Sequence, residues 1–110
     1  MPRDDTVYLR HIADAIARID EFLAGVSAGE FRSRRIVQSA VVRELEVVGE
    51  AARNLSDEFR RTHPQVEWPV VIAMRNRLIH AYFDVDLNVV LEVVQHDLPR
   101  FAAFIRTALD

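Results

Sequence analysis

The sequence predicts an all-α protein, an up-and-down bundle of four long helices plus one short helix, and three observations lead there. Apolar residues recur at spacings of three and four through most of the chain. Only three glycines and four prolines punctuate it. No convincing run alternates apolar with polar residues in the way a half-buried strand requires. At 110 residues, 50% of them hydrophobic, the chain is long enough for one core and too short for two, so residues 1–110 form a single domain.

The first helix begins at Asp5 or Thr6, either of which can cap it, and runs to about Val26. Its stripe is Tyr8, Ile12, Ala15, Ile16, Ile19, Phe22, Leu23 and Val26, and Gly25 to Gly29 make the turn that follows. The second helix starts between Gly29 and Ser33 and continues to about Leu55. Val37, Val41, Leu45, Val48, Ala52 and Leu55 share one face, widened by Ile36, Ala40, Val47 and Ala51, as expected of a central helix with neighbours on two sides. Ser56 caps a short third helix, Asp57 to about Thr62, which His63 and Pro64 end because proline disfavours the helical conformation before it. The fourth helix runs from about Val66 to Tyr82, with Pro69 tolerated in its first turn. Asp84 or Asp86 caps the fifth, whose stripe is Leu87, Val90, Leu91, Val94, Leu98, Phe101, Ala102 and Ile105. Pro99 is expected to kink or break it.

Bulk chemistry narrows the function. There is no cysteine, so disulfide frameworks and thiolate metal sites are excluded. The N-terminal residues are polar where a signal peptide is apolar, and no stretch approaches the roughly 18 apolar residues of a membrane span. A cytoplasmic protein with no membrane partner is the expectation. The net charge of −3 opposes nonspecific attraction to polyphosphate, so any nucleic acid needs a local site. All 14 basic residues are arginine, and Arg32, Arg34 and Arg35 cluster. The cluster is either a phosphate contact or a solvated helix face.

The fourth helix breaks the pattern. At 100° per residue Trp68, Val71, Ile72, Leu78, Ile79 and Tyr82 lie within roughly 60° of one line, and Arg75 falls at its centre. A guanidinium there must pair with a carboxylate or line an opening where phosphate binds. Asn76 and His80, four apart, stand nearby on one face. On the second helix Glu46 and Glu50 form a like-charge pair that needs compensation, from Arg43 and Arg53 or from Arg75. A lone histidine is more often structural than catalytic, and His11, His63 and His96 receive no role. The conjunction of Arg75, Asn76 and His80 on an apolar helix is harder to attribute to packing.

These side chains suit cleavage of an RNA phosphodiester by its own 2′-hydroxyl, without metal or other cofactor. Histidine is the side-chain type suited to proton transfer near neutral pH, which makes His80 the candidate general base or acid. Arg75 offers a permanent charge to the phosphoryl oxygens, and Asn76 holds either the histidine or a phosphate oxygen. One such set is sparse for a reaction needing both a base and an acid, and a symmetric homodimer would supply two.

The segment Met74 to Tyr82, with Arg75, His80 and Tyr82 in register, resembles the Arg-x4-His-x-Tyr signature of the HepT branch of HEPN domains. Leu45 to Ala52 resembles that branch's second-helix segment, and Val66 to Trp68 its entry to the motif helix. The likeness spans nearly the whole chain. Ala81 stands where glycine is common in relatives. The resemblance implies a dimeric helical ribonuclease acting as the toxin of a toxin–antitoxin pair. Members of the family differ in RNA target, so the substrate does not carry over: transfer RNA and messenger RNA both stand open, and no DNA is expected. It also implies an MntA-like nucleotidyltransferase antitoxin that moves AMP from ATP to Tyr82. AMP there would bring bulk and negative charge to the phosphate site, whereas the bland reading of Tyr82 is a core aromatic. Two other classes remain: a non-catalytic helical module that docks on the nucleotidyltransferase, and a protein that holds ATP or AMP through Arg75, Asn76 and His80 without cutting RNA.

Overall fold

A computed structural model describes residues 4–80 and 84–110, which are mostly helical. Helix α1, Asp5–Leu23, starts where Asp4 Oδ1 accepts the Thr6 N–H at 3.0 Å. Leu9, Ile12, Ala15, Ile16 and Ile19 form its buried stripe. It ends at Ala24 and turns through Gly25, whose φ of +72° suits glycine best.

The expected second helix is two helices, α2, Ala28–Ser33, and α3, Arg35–Asn54. Ser27 and Glu30 make a reciprocal capping box for α2. Arg34 then leaves the helical region at φ −111°, ψ 92°. The Gln38 amide donates to the carbonyls of Phe31 and Arg32 at 2.8 and 3.0 Å. Those carbonyls, orphaned at the end of α2, are thereby satisfied and the break is held. Helix α3 is central as expected, packing on α1 along its length and burying Val37, Val41, Val42, Leu45, Val48, Ala51 and Ala52.

The short helix α4, Asp57–Thr62, has the predicted bounds and the predicted Ser56 cap. Ser56 is itself held by Asp5, which accepts its N–H and its hydroxyl, each at 2.8 Å. This explains how Asp5, 2% exposed, is accommodated in the core. His63 stacks on Phe59 beside Phe104, and its carbonyl accepts the Trp68 indole N–H at 3.0 Å.

The fourth helix departs most from expectation. It breaks into α5, Trp68–Ile72, and α6, Met74–Leu78, and the chain then extends as β1, Ile79–His80. Strand β1 pairs antiparallel with β2, Asp84–Val85, matching Ile79 to Val85 and His80 to Asp84. The Asp86 N–H also donates to the Leu78 carbonyl at 2.8 Å. Beyond Leu78 the backbone therefore bonds across to residues 84–86, which ends the helix. At the α5–α6 break, α3 presents Gly49: a Cβ there would meet the Val71 carbonyl oxygen at 3.0 Å and the Met74 Cβ at 3.1 Å. Only a residue without a side chain lets the two segments approach so closely.

Asp86 caps α7, Leu87–Glu92. A π-helical turn, Val93–Asp97, joins it to α8, Leu98–Leu109, and the backbone stays helical through Val93 and Leu98. Pro99 thus does not break the helix: it sits in the first turn of α8, and the wide turn before it accommodates the missing N–H. Within this segment Val93, absent from the predicted stripe, is buried with Val90, Leu98 and Ile105. Among the described residues no helix is long and apolar enough to cross a membrane.

Candidate active site

The break at Ala73 resets the helical wheel. Trp68, Met74 and Leu78 face the core, while Arg75 points outward with its side chain 55% exposed. The expectation that its guanidinium lies at the centre of a buried stripe is therefore wrong. It assumed an unbroken helix from Val66 to Tyr82. The pairing expectation does better, since Arg75 Nε lies 3.4 Å from Glu46 Oε2 on α3. Glu50 instead meets Arg53, three residues along, at 3.7 Å. The two glutamates are thus compensated from different sources.

Arg75, Asn76, Glu46 and Glu50 line one open groove of about 570 Å³ between α3 and the α5–α6 break, together with Arg43 and Arg53. Three guanidiniums against two carboxylates leave this groove with a local positive balance, the opposite of the chain as a whole. A phosphate is the ligand class such a lining favours.

His80 is not part of that lining. It sits on β1 and so does not share a helix face with Asn76. Its side chain is 56% exposed, and its Nε2 lies 3.2 Å from Asp86 Oδ2. Asp86 was anticipated only as a helix cap, and it does that too, its Oδ1 accepting the Val89 N–H at 3.2 Å. One carboxylate therefore holds the start of α7 with one oxygen and the His80 ring with the other. An ionised carboxylate only accepts, so Nε2 carries the shared proton and Nδ1 is left for other work. The hydrogen bond from His80, and secondly that from the Val89 N–H, holds the Asp86 carboxyl below its ordinary value. The signal for Asp86 in the sequence is its place six residues after His80, which becomes proximity only once the two short strands pair.

A lowered carboxyl pKa stabilises the fold above the unfolded value of 3.8, and that contribution is lost as pH falls through the folded value. Asp86→Asn, which keeps a good capping residue, should therefore be less stable than the wild type at pH 6. The gap should narrow as pH falls below 3.8, as read from urea midpoints at pH 6 and at a series of lower pH values. A gap independent of pH would show that the carboxylate's charge contributes nothing.

Tyr82 lies outside the described residues. Of the histidines given no role, His11 packs edge-on to Tyr8, His63 lies among aromatic rings and His96 stands beside Glu92. Among the described residues, no three His, Asp or Glu side chains gather as ligands for a metal ion.

Comparison with known proteins gives a consistent set of relatives. Residues 12–108 match the family model described as "Ribonuclease HepT-like". The chain is 41% identical over 99 residues to "Probable ribonuclease HepT" of Thermococcus cleftensis, covering 90% of each. It is 34% identical to "Putative RNase MJ1380" of Methanocaldococcus jannaschii over 89% of this chain and 90% of that one. It is 34% identical to "Putative RNase TTE0752" of Caldanaerobacter subterraneus over 93% and 91%. No solved structure matches the chain.

Proposed function

The chain belongs to the HepT-like ribonuclease family, and from that premise we propose that it is an endoribonuclease that cuts without metal, using His80 for proton transfer and Arg75 for charge. The observation that carries this reading is the exposed His80 ring held at Nε2 by the Asp86 carboxylate. The RNA 2′-oxygen attacks phosphorus, the P–O5′ bond breaks, and a 2′,3′-cyclic phosphate and a 5′-hydroxyl result. The 2′-hydroxyl proton leaves to one imidazole as O2′ bonds phosphorus, and O5′ receives a proton as it departs. Arg75 stabilises the charge gathering on the phosphoryl oxygens, and Asn76, beside it in the groove, donates to the same oxygens. Glu46 holds the guanidinium ready, and Glu50 does the same for its neighbour Arg53. Asp86 is a positioning residue that acts through the orientation of His80.

In an in-line displacement the attacking O2′ and the departing O5′ lie on opposite sides of phosphorus, which favours two imidazoles, so the active form is a homodimer in which a second copy supplies the other one. The protein acts in the cytoplasm as the toxin of a toxin–antitoxin pair, on transfer or messenger RNA. A nucleotidyltransferase antitoxin neutralises it by moving AMP from ATP to Tyr82 with release of pyrophosphate. AMP on that tyrosine puts negative charge in competition with the RNA phosphate for Arg75.

The test is cleavage of mixed transfer RNA by purified protein in excess EDTA, with intact mass checked first for added AMP. Cutting by the unmodified protein, with 2′,3′-cyclic phosphate ends on the products, is the expected result. No cutting of any RNA by protein of verified mass overturns the reading. The ion pair of Arg75 with Glu46 favours a second one, a non-catalytic module in which that guanidinium is structural and the chain only docks on its partner or holds a nucleotide. Under that reading, cutting in the preparation would survive replacement of Arg75 and His80.

A further inference from the structure

Arg32, Arg34 and Arg35 fall within four consecutive positions at the junction of α2 and α3, and all three are exposed. Chain geometry alone keeps the Cα atoms of Arg32 and Arg35 within about 11 Å. The junction has a defined shape, since Gln38 ties down the carbonyls of Phe31 and Arg32, and the Ser33 hydroxyl donates to the Glu30 carbonyl at 3.1 Å. Three guanidiniums are thus presented from a braced turn.

The fold ties this turn to the helix whose cap holds the proposed catalytic histidine. Arg32 Nη2 donates to Asn88 Oδ1 at 2.6 Å, across 56 positions of sequence. Asn88 lies in the first turn of α7, two residues after the Asp86 that holds His80. The charge of the cluster is also little used within the fold. Among the described residues the arginines in ion pairs are Arg18, Arg53, Arg60, Arg75 and Arg77, and none of the three is among them. Their nearest carboxylate in sequence, Glu30, accepts the Ser27 N–H at 3.1 Å, with Arg34 a lesser influence on it.

We propose that Arg32, Arg34 and Arg35 form a phosphate-binding subsite that holds the RNA backbone flanking the bond cut at His80. The subsite rests on the ribonuclease reading and deepens it. A chain of net charge −3 gains no RNA affinity from its overall field, so contacts beyond the scissile phosphate have to be local. Guanidinium forks suit phosphate oxygens, and contacts to phosphates carry no base preference, so the subsite sets affinity and register, leaving sequence choice to other residues.

The test measures binding of a fluorescent single-stranded RNA to His80→Ala protein across a salt series, alone and with Arg34→Ala and Arg35→Ala added. Loss of two phosphate contacts should lower the slope of log affinity against log salt by about 1.4, and affinity at low salt should fall about tenfold. A further variant, Arg34→Glu with Arg35→Glu, should weaken binding more, and circular dichroism checks that each variant folds. If the parent binds RNA and neither double variant changes affinity or slope, the subsite is overturned while the ribonuclease reading stands, and the patch, with the 86% exposed Ile36 beside it, is left to a protein partner. If the parent binds no RNA and the wild type cuts none, both fall together.

Discussion

Replacing His80 by alanine is expected to lower kcat/KM for RNA by about 10²–10⁴-fold, the usual contribution of a positioned general acid or base. The fold should survive, because the side chain is 56% exposed and its removal opens no core cavity. The urea midpoint should therefore change little, by the equivalent of at most about 1 kcal/mol. Arg75→Ala should reduce turnover by about 10²–10³-fold, the effect of losing one donor to developing charge. Arg75→Lys should recover only part of it, since an ammonium keeps the charge without the planar fork. Activity within about threefold of the wild type in both alanine variants, at verified mass and fold, would overturn the roles given to these residues. It would favour the docking module in which Arg75 serves only to pair with Glu46.

The largest effect on stability should come from Leu78→Ala, at about 2–5 kcal/mol, the range for truncating a fully buried leucine. Leu78 is 0% exposed and sits between Arg75 and His80, and its carbonyl accepts the Asp86 N–H that closes the strand pair. Its side chain is thus the apolar anchor under the point where α6 becomes β1. The variant should lose turnover as well as stability, even where native conditions keep it folded, because the His80 strand and the Arg75 helix are joined through this residue. Urea unfolding gives the first quantity and kcat of the folded protein the second. A loss below about 1 kcal/mol would show that the junction does not depend on that anchor.

Much of this molecule follows from local rules. The stripe of α1 and the central face of α3 are where the 3.6-residue period puts them, and most of their members are buried. Ser56 and Asp86 cap the helices expected of them, because a capping side chain reaches only the N–H groups two or three residues ahead. The presence of Arg75, Asn76 and His80 in one short segment suggested phosphate chemistry, although the helix face that Asn76 and His80 were expected to share is not there, and the chain does belong to a ribonuclease family.

What local periodicity could not decide is where a backbone group bonds when a distant partner competes with the one four residues back. Residues 66–82 read as one helix, yet Gly49 of α3 packs at the Ala73 break and residues 84–86 take the backbone bonds beyond Leu78. Those two long-range choices turn Arg75 outward to Glu46 and place His80 on a strand. They also make Asp86 a partner of His80 as well as a helix cap. The same holds for Arg34, where the Gln38 side chain splits an apolar-periodic segment in two, and for Arg32, which finds Asn88 across 56 positions. The sequence by itself determined which residues are apolar, which can cap and which carry charge, since those are properties of single side chains and their spacing. Only the tertiary structure decided which charged groups meet, because that depends on where the helices stop, and here the stops are set by contacts from other elements.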